Sequence, residues 1–360
     1  MIDKIINNIV WWIPIKKLRN SIREYLNIIY KELIKKNDKF TEKTYIILSS
    51  AFFNLKSFMI NNPDKFNDCL YNFSKNLDEY SIETLNSYIH KHNCLINKEL
   101  SIHNFYKIPI GSSFFTDEEK ITYLNKKDII FELSKKYKTK YNILDFDFSL
   151  QVFYYKYGLL YIPDILKNNL KNSIALDLGG GKGETSIMLL EEFKFSKIYT
   201  YEPSQQLFNT LNNNIKKYNL QDKIKIFKQA VGDVNDYINF FEDANSGFGS
   251  FVSTKFNNST KIQSIRLDDN LEVLDNIKLI KLDIEGFEYQ ALKGAENIVR
   301  RNSPILLISC YHNNNFNDNS VIPQMFVLKD YIESLNMGYK ILFRHIEPNT
   351  LYEYLLICYK

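Results

Sequence analysis

The stretch that most restricts the fold of this chain is Ile174-Ala-Leu-Asp-Leu-Gly-Gly-Gly-Lys-Gly-Glu-Thr-Ser186. It joins a short apolar run, a glycine-rich turn and the beginning of an amphipathic segment, which predicts a strand, a tight turn and a helix. Gly179, Gly181 and Gly183 let the backbone turn sharply and approach a ligand closely, because no Cβ intervenes. The stretch therefore predicts a ligand-binding turn at the end of a sheet strand.

Short apolar runs alternate with helical segments from residue 173 onward, as in a parallel sheet covered on both faces. We expect strands at 173–177, 197–201, 224–229, 279–283, 305–309, 339–344 and 354–359. The last two lack a helix between them, which predicts an antiparallel pair. The fold class is therefore α/β, with a mostly parallel sheet and an antiparallel C-terminal strand.

The 360 residues suggest a second module beside this sheet. Apolar residues recur at helical spacing through much of the first half, so we divide the chain into an amphipathic segment (1–24), a mainly helical module (25–145) and an α/β domain (146–360). His90, His92 and His103 lie in the helical part without ligand-type neighbours, and we interpret them as surface helix residues.

Composition excludes several classes of function. The chain has 46 lysines and arginines against 42 acids, a net charge of +4, which supplies no basic field for nucleic acid. The four cysteines are widely spaced, as thiols of a reducing compartment are. No run approaches the roughly 20 apolar residues of a membrane span, and no signal-peptide pattern is visible. We expect a cytoplasmic protein without a nucleic-acid partner.

Residues 1–23 place an aromatic patch directly before basic side chains. Trp11 and Trp12 precede Lys16, Lys17 and Arg19. Trp rings favour the headgroup zone and basic residues favour anionic lipid, so this order suits peripheral contact with the inner face of the membrane. A helix docked on the protein's own core is the alternative, and both remain open.

Two carboxylates restrict the kinds of ligand that the glycine turn can bind. Asp177 precedes the turn, where it would repel a pyrophosphate and disfavour a nicotinamide dinucleotide. Glu202 ends the next strand, 25 residues later, where a carboxylate can accept hydrogen bonds from two ribose hydroxyls. A cationic adenosyl ligand without phosphate, S-adenosylmethionine, fits both. Gln229 and Ala230, after the third strand, would then lie beside the adenine.

A second acidic stretch is Leu279-Ile-Lys-Leu-Asp-Ile-Glu-Gly-Phe-Glu288. The two-residue period of a strand puts Asp283 and Glu285 on one side, with Gly286 making the turn and Glu288 entering the next helix. Three carboxylates would therefore gather at the ligand edge of the sheet.

This stretch, with Leu292-Lys-Gly-Ala-Glu296 after it and Ile265-Arg-Leu-Asp-Asp-Asn-Leu271 before it, resembles the hallmark of the FkbM-like methyltransferases. The resemblance covers roughly 152–360. It implies a class I methyltransferase fold, S-adenosylmethionine as donor, and oxygen methylation of sugars, polyketides or other natural products.

Carried over to this chain, the resemblance implies that Asp177 and the glycine turn hold the methionine part and Glu202 the ribose, while Asp283 and Glu285 line the donor and acceptor pocket. The chain departs from the family at Gly180, where a larger residue is common. We interpret this change as added backbone freedom.

Methyl transfer from a sulfonium needs positioning and a group that takes the hydroxyl proton. The candidates are Asp283, Glu285 and His312, which follows the fifth strand; His312 has the most suitable unperturbed pKa, about 6.5, although a locally bonded loop histidine is the alternative. The same groups could hold magnesium, but their spacing matches no metal motif, so we assign no metal ligand. The loop 244–251 could close over the acceptor or be a plain turn.

We therefore expect a sugar O-methyltransferase of bacterial surface-glycan synthesis, in capsule or lipooligosaccharide, with a carbohydrate or other small hydroxylated acceptor. Methylation of a small natural product or a lipid is an alternative that the sequence does not separate from it. A noncatalytic scaffold for glycan-assembly enzymes is an alternative of another class.

Overall fold

The computed structural model describes residues 43–46, 50–96, 106–110, 112–141, 149–242, 251–252, 259–270, 275–312, 321–347 and 350–360. The predictions for residues 1–23, for His103 and for most of the loop 244–251 lie outside this part of the chain. No helix in the described ranges is both long and apolar enough to cross a bilayer.

The C-terminal half is built on a seven-stranded sheet that contains all seven expected strands. They are β3 Ile174–Leu178, β4 Lys197–Tyr201, β5 Ile224–Phe227, β10 Ile277–Leu282, β11 Ile305–Ser309, β12 Lys340–His345 and β13 Tyr354–Tyr359. The order is β12-β13-β11-β10-β3-β4-β5, and β13 runs antiparallel to both neighbours. The α/β class and the antiparallel C-terminal strand are confirmed; several predicted strand ends shift by one or two residues.

Both faces of this sheet are covered, which explains the apolar strands. Leu176 and Ile280 belong to the core on one face, and Ala175 and Leu279 to the core on the other. The covering helices are α5 Asp164–Asn168, α6 Glu184–Phe193, α7 Gln205–Lys217, α8 Leu267–Asn270, α9 Glu288–Gly294, α10 Glu296–Asn302 and α11 Gln324–Ser334.

A second, four-stranded sheet lies between β5 and β10 in the chain, and we did not predict it. It pairs β6 Ala230–Val231, β9 Thr260–Ile265, β7 Asp236–Phe241 and β8 Phe251–Val252 in that order. Its longer strands are only partly buried, so they lack the continuous apolar run by which we recognised the central strands.

The N-terminal module is mainly helical, as expected, with α1 Ser50–Asn61, α2 Pro63–Ser74, α3 Glu79–Ile96 and α4 Asp117–Tyr141. It also contains an antiparallel pair, β1 Lys43–Ile46 with β2 Tyr106–Pro109, so helical structure does not extend through the whole of residues 25–145. His90 is exposed as expected. His92 is buried, contrary to expectation, because α3 packs against β12 and the ring bonds to the Tyr88 carbonyl at 2.8 Å.

The helical module and the sheet share one core. Phe73 of α2 makes edge contacts with Phe326 of α11 and Phe343 of β12, at 5.6 and 5.3 Å between ring centroids. In the chain, the helical module is joined to the sheet by a π-helical turn at Leu150–Tyr154 and a 3₁₀ segment at Lys156–Tyr161. Both pack on the other face of the sheet. Residues 150–161 therefore form part of the folded domain.

The glycine turn after β3 is closely fitted to its surroundings. Gly179 has φ +80°, and a Cβ there would lie 1.8 Å from the Asp283 carbonyl oxygen. A Cβ on Gly180 would lie 2.1 Å from the Thr200 methyl carbon. The neighbouring Thr200 side chain thus favours glycine at 180, a steric reason that our interpretation of added backbone freedom did not include.

We expect Gly180→Ala to lower the free energy of unfolding by about 1–3 kcal/mol, the usual cost of overpacking a buried site. Thr200→Ser removes the methyl group in the way and keeps the hydroxyl that lies 2.7 Å from Ser186 Oγ. Urea unfolding of the two single variants and the double variant would check this. An alanine penalty of equal size with and without Thr200→Ser would contradict the steric explanation.

Candidate active site

Asp177, at the end of β3, lies beneath the glycine turn. Its side chain is fully buried; Oδ2 accepts a 2.6 Å hydrogen bond from Ser186 Oγ of α6. Oδ1 lies 3.3 Å from the Lys281 ammonium but has no hydrogen-bond partner among the described residues. Through its contacts with Ser186 and Lys281, the Asp177 carboxylate stabilises the glycine turn. This position favours an indirect role in ligand binding.

Lys281 of β10 is the central residue that our sequence reasoning missed. Its buried ammonium donates to the Gly179 and Leu178 carbonyls at 2.5 and 3.3 Å and lies 5.1 Å from the centre of the Tyr157 ring. Burial disfavours the charged form, but Asp177 and Asp283 outweigh it and raise the pKa of Lys281. A lysine inside an apolar central strand was the signal that could have identified it.

Glu202 lies at the end of β4, on the edge where we expected it. Oε2 accepts from the Gly181 amide and Oε1 from the Ser204 amide, both at 2.9 Å. A carboxylate has about four acceptor positions, so each oxygen can accept one more hydrogen bond. Burial raises the pKa of Glu202 to about 7. The group can thus hold a pair of hydroxyls, as a ribose presents them.

Gln229 and Ala230 follow β5, but only Ala230 is buried there. Ala230 begins β6 and pairs with Ser264 of β9. Gln229 is partly exposed, and its amide bonds to Gln263 Oε1 at 2.8 Å. Both residues lie beyond the strand end, at the same edge as Glu202; their contact with an adenine stays a prediction.

The acidic stretch after β10 forms a tight turn, so the strand periodicity that we used for Asp283 and Glu285 does not apply. The strand ends at Leu282, and Glu285 and Gly286 have φ +54° and +96°. The turn nevertheless brings both carboxylates to His312: Nε2 lies 3.7 Å from Asp283 Oδ1 and 3.4 Å from Glu285 Oε2. The three candidate catalytic residues therefore form one cluster.

Glu288, the first residue of α9, fixes this cluster from behind. Its fully buried carboxylate accepts from the Ile284 amide at 3.0 Å, from the Gly286 amide at 3.3 Å and from Gln324 at 2.8 Å. It also lies 2.8 Å from His312 Nδ1. Glu288 thus stabilises the turn and orients the imidazole with Nε2 facing Asp283 and Glu285.

The three carboxylates change the chemistry that we expected of His312. Burial lowers its pKa, but Glu285, Glu288 and Asp283 raise it, to about 10. At neutral pH the imidazole is therefore protonated and cannot accept a proton in this state. We preferred His312 as a base because the unperturbed pKa of histidine is about 6.5. In the fold the pKa of His312 is far from this value.

We expect Glu288→Gln to lower the pKa of His312 from about 10 toward its ordinary value of 6.5. A raised histidine pKa stabilises the fold at all pH values below 6.5, and this contribution is lost as the pH rises through about 10. NMR titration of the histidine Cε1–H signals, assigned with His312→Asn, measures the shift directly. Glu132→Gln, on an exposed part of α4, is the matched control; an unchanged titration in Glu288→Gln would contradict the role of Glu288.

Asp283, Glu288 and His312 could also meet around a cation, since one ligand atom from each lies within 4.8 Å of the others. However, both Glu288 oxygens already accept from protein donors. This arrangement favours a hydrogen-bonded cluster over a metal site, and a metal-free reaction stays our prediction.

Tyrosines border the cluster on the side of residues 150–161 and of β13. Tyr157 Oη lies 2.8 Å from Ser309 Oγ at the end of β11. Tyr311 donates to Glu353 at 3.2 Å, and burial raises the pKa of Glu353 well above its ordinary value. These groups offer hydrogen-bond donors and acceptors beside the carboxylates.

Comparison with known families agrees with the geometry. The model of the methyltransferase FkbM domain matches residues 177–341, from Asp177 into β12, inside the range of our resemblance. No curated protein matches the chain.

Solved structures support the fold. Methyltransferase FkbM from Methylobacillus flagellatus KT aligns with a TM-score of 0.52 and 21 % identity, over 82 % of this chain and 59 % of that one, so this chain spans less than two thirds of that protein. An rRNA methylase from Streptococcus thermophilus has a TM-score of 0.33 and 14 % identity, over 55 % and 92 % of the two chains. Aeropyrum pernix fibrillarin, in complex with S-adenosylmethionine, has a TM-score of 0.33 and 12 % identity, over 53 % and 68 %.

The site fits the cofactor of this family. The turn has no room for a Cβ at Gly179, and Glu202 keeps acceptor positions suited to ribose hydroxyls. Residues 177–341 therefore match the methyltransferase FkbM domain, and the fold and the site of this part of the chain agree with those of a methyltransferase that uses S-adenosylmethionine.

Proposed function

We propose that the protein methylates a sugar hydroxyl in the synthesis of a bacterial surface glycan, such as capsule or lipooligosaccharide. The observation that carries the proposal is the cluster of Asp283, Glu285 and His312 at the end of β10, next to the glycine turn. Carboxylates accept hydrogen bonds from hydroxyl groups. The cluster lies beside the glycine turn after β3, where the Asp283 carbonyl packs against Gly179.

S-adenosylmethionine supplies a methyl group on a sulfonium, which is a strong leaving group. A hydroxyl that took up this methyl group would lose its proton, so the site must offer a proton acceptor. Lys281 and His312 outweigh the burial of Asp283 and lower its pKa, so Asp283 is ionised at neutral pH and can take this proton. We therefore assign the base to Asp283, with Glu285 as a second hydroxyl acceptor.

His312 contributes as a cation in this scheme. It faces both carboxylates and holds them in place while Glu288 fixes its other nitrogen. The convergence of Asp283 and Glu285 on His312 argues against a noncatalytic scaffold, which would need none of these groups. The sugar itself is supported by the family resemblance, and natural products or lipids with a hydroxyl remain alternatives.

The test is the mass of surface glycans from cells with and without the gene. We expect the loss of one methylene at a defined sugar, restored by the wild-type gene and left unrestored by Asp283→Asn. Unchanged glycans together with label transfer from S-adenosylmethionine to a lipid or small-molecule fraction would reject the sugar in favour of those acceptors.

A further inference from the structure

The backbone before α5 takes an unusual course at three consecutive residues. Lys156, Tyr157 and Gly158 have φ +51°, +52° and +92°, in the left-handed region that residues other than glycine rarely adopt. Tyr157 is held in this conformation with its side chain only 1 % exposed. Strained residues persist where the surrounding structure imposes them, and they are common at functional sites. Strain at a buried tyrosine therefore indicates a side chain that has to reach a fixed place.

Close packing against β13 keeps the bend in place. A Cβ on Gly158 would lie 2.8 Å from Ile357 Cδ1, so the backbone approaches the strand where a glycine occupies the contact. The adjacent Tyr157 has its ring near Lys281 of β10 and its hydroxyl against Ser309 of β11. The bend therefore places this side chain between the two strands whose ends carry the acidic cluster.

The Tyr157 hydroxyl forms a hydrogen-bonded pair with Ser309. The two oxygens lie 2.8 Å apart, and both side chains are buried. Each hydroxyl carries one proton, and the bond between them uses one of the two. The second proton is available to the Asp283 carboxylate, which lies within hydrogen-bonding reach of both hydroxyls.

The Tyr157 ring contacts the cation that faces Asp283. Lys281 Nζ lies 5.1 Å from the centre of the ring and 3.9 Å from Asp283 Oδ2. The face of an aromatic ring attracts a cation at this distance. Tyr157 therefore borders Asp283 with its hydroxyl and Lys281 with its ring.

Tyr157 lies behind Asp283 as seen from the surface. The Asp283 side chain is 26 % exposed, whereas Tyr157 and Ser309 are buried. A ligand can meet the carboxylate, but it does not reach the two hydroxyls in this structure. An effect of Tyr157 on the reaction therefore has to pass through Asp283.

The two hydroxyls also affect the ionisation of Asp283. Burial raises the pKa of Asp283, but Lys281, His312 and the two hydroxyls outweigh burial and lower it. Glu285 shares His312 with Asp283. The titratable groups that face Asp283 from neighbouring elements are Tyr157, Lys281 of β10, Tyr311 and His312 after β11, and Glu353 before β13. Loss of a hydroxyl donor therefore raises the pKa of Asp283.

We infer that Tyr157 is a positioning residue for methyl transfer: with Ser309 it holds the Asp283 carboxylate in place to receive the proton of the acceptor hydroxyl. The inference rests on the proposed function, in which Asp283 is the base. Part of the site then comes from residues 150–161, ahead of residue 177, where the match to the domain model begins.

Tyr157→Phe removes the hydroxyl and keeps the ring beside Lys281. We expect the acid limb of the turnover profile to move up by about one pH unit, because the ionised carboxylate loses a donor and holds its proton to higher pH. In the Ser309→Ala background, where Tyr157 supplies the only hydroxyl of the pair, the same change should move the limb at least as far. Tyr155→Phe is the matched control: it removes a buried hydroxyl that bonds to Thr122 at 3.5 Å, and it should leave the limb in place.

Turnover is measured as S-adenosylhomocysteine released at saturating S-adenosylmethionine, with extract of cells that lack the gene as the source of acceptor. Saturation keeps the cofactor bound at Glu202, so the ionisation of Glu202 in the free protein does not enter the profile. Full recovery of turnover on return to pH 7 shows that a protein has not unfolded in acid. An acid limb that stays at the wild-type pH in Tyr157→Phe, in both backgrounds, would overturn the inference.

A measurement without acceptor separates this inference from the proposed function. In protein isotope-labelled at the aspartate carboxyl carbon, the NMR signal of Asp283, assigned with Asp283→Asn, reports the ionisation of this group. We expect it to titrate at higher pH in Tyr157→Phe than in the wild type and in Tyr155→Phe. Absence of turnover by the wild type rejects the proposed function alone, whereas equal titration of Asp283 in all three proteins rejects the role of Tyr157.

Discussion

Lys281→Met is expected to lower the free energy of unfolding by about 3–5 kcal/mol, because it leaves the fully buried Asp177 carboxylate without its cation. The variant also removes the ammonium that donates to the Gly179 and Leu178 carbonyls. Since the pKa of Lys281 is raised above 10.5, this stabilisation is fully present below that pH and is lost only as the pH rises through the higher folded value.

The matched variant is Asp177→Asn with Lys281→Met, which removes both charges and keeps an acceptor for Ser186. We expect the double variant to recover most of the lost stability, because a neutral pair costs far less to bury than one unpaired charge. Urea denaturation of the four proteins gives the coupling energy directly. A double variant no more stable than Lys281→Met would show that the lysine acts through the Gly179 and Leu178 carbonyls or through packing, and not through its charge on Asp177.

Glu202→Ala is expected to weaken S-adenosylmethionine binding by at least about 100-fold, because it removes a carboxylate able to accept two hydrogen bonds, each worth about 1.5–3 kcal/mol. The wild-type affinity should rise between pH 6 and pH 8, because Glu202 ionises with a pKa of about 7 and the ionised form is the better acceptor. Glu202→Gln lacks this ionisation and is the control for the titration of the cofactor's own groups.

In the protein without bound cofactor, the raised pKa of Glu202 lowers the stability of the fold as the pH rises. A carboxyl whose pKa is raised from 4.5 to about 7 costs stability as the pH rises from about 4.5 to 7, and the cost is constant above that range. Calorimetric titration with the cofactor at several pH values checks the binding prediction. If Asp177→Ala and Glu202→Ala both bind as the wild type does, the assignment of the cofactor to this edge is wrong.

Local sequence patterns were sufficient for the strands and the glycine turn. The strand at Ile174–Leu178 and the turn after it are specified by consecutive residues, so their order and position could be predicted. The position of Glu202 followed from the strand before it. These features depend on short-range chemistry that one segment contains in full.

The electrostatics of the site could not be predicted in this way. The state of His312 depends on Glu288, which is brought to it by the turn after β10, and on Asp283 and Glu285. The sequence shows all four residues, but only the fold fixes distances below 4 Å between them. The small second sheet was missed for a related reason: its partly exposed strands are defined by pairing with each other.

The contact between Ser81 and β12 helps to cover an outer strand of the sheet. β12 is an outer strand of the sheet, and outer strands can add a strand from another molecule. Here the Phe343 amide donates to Ser81 Oγ at 2.9 Å, and α3 packs against the strand. The helical module therefore shields an edge that, in a fragment beginning at residue 149, would be open to sheet extension between molecules.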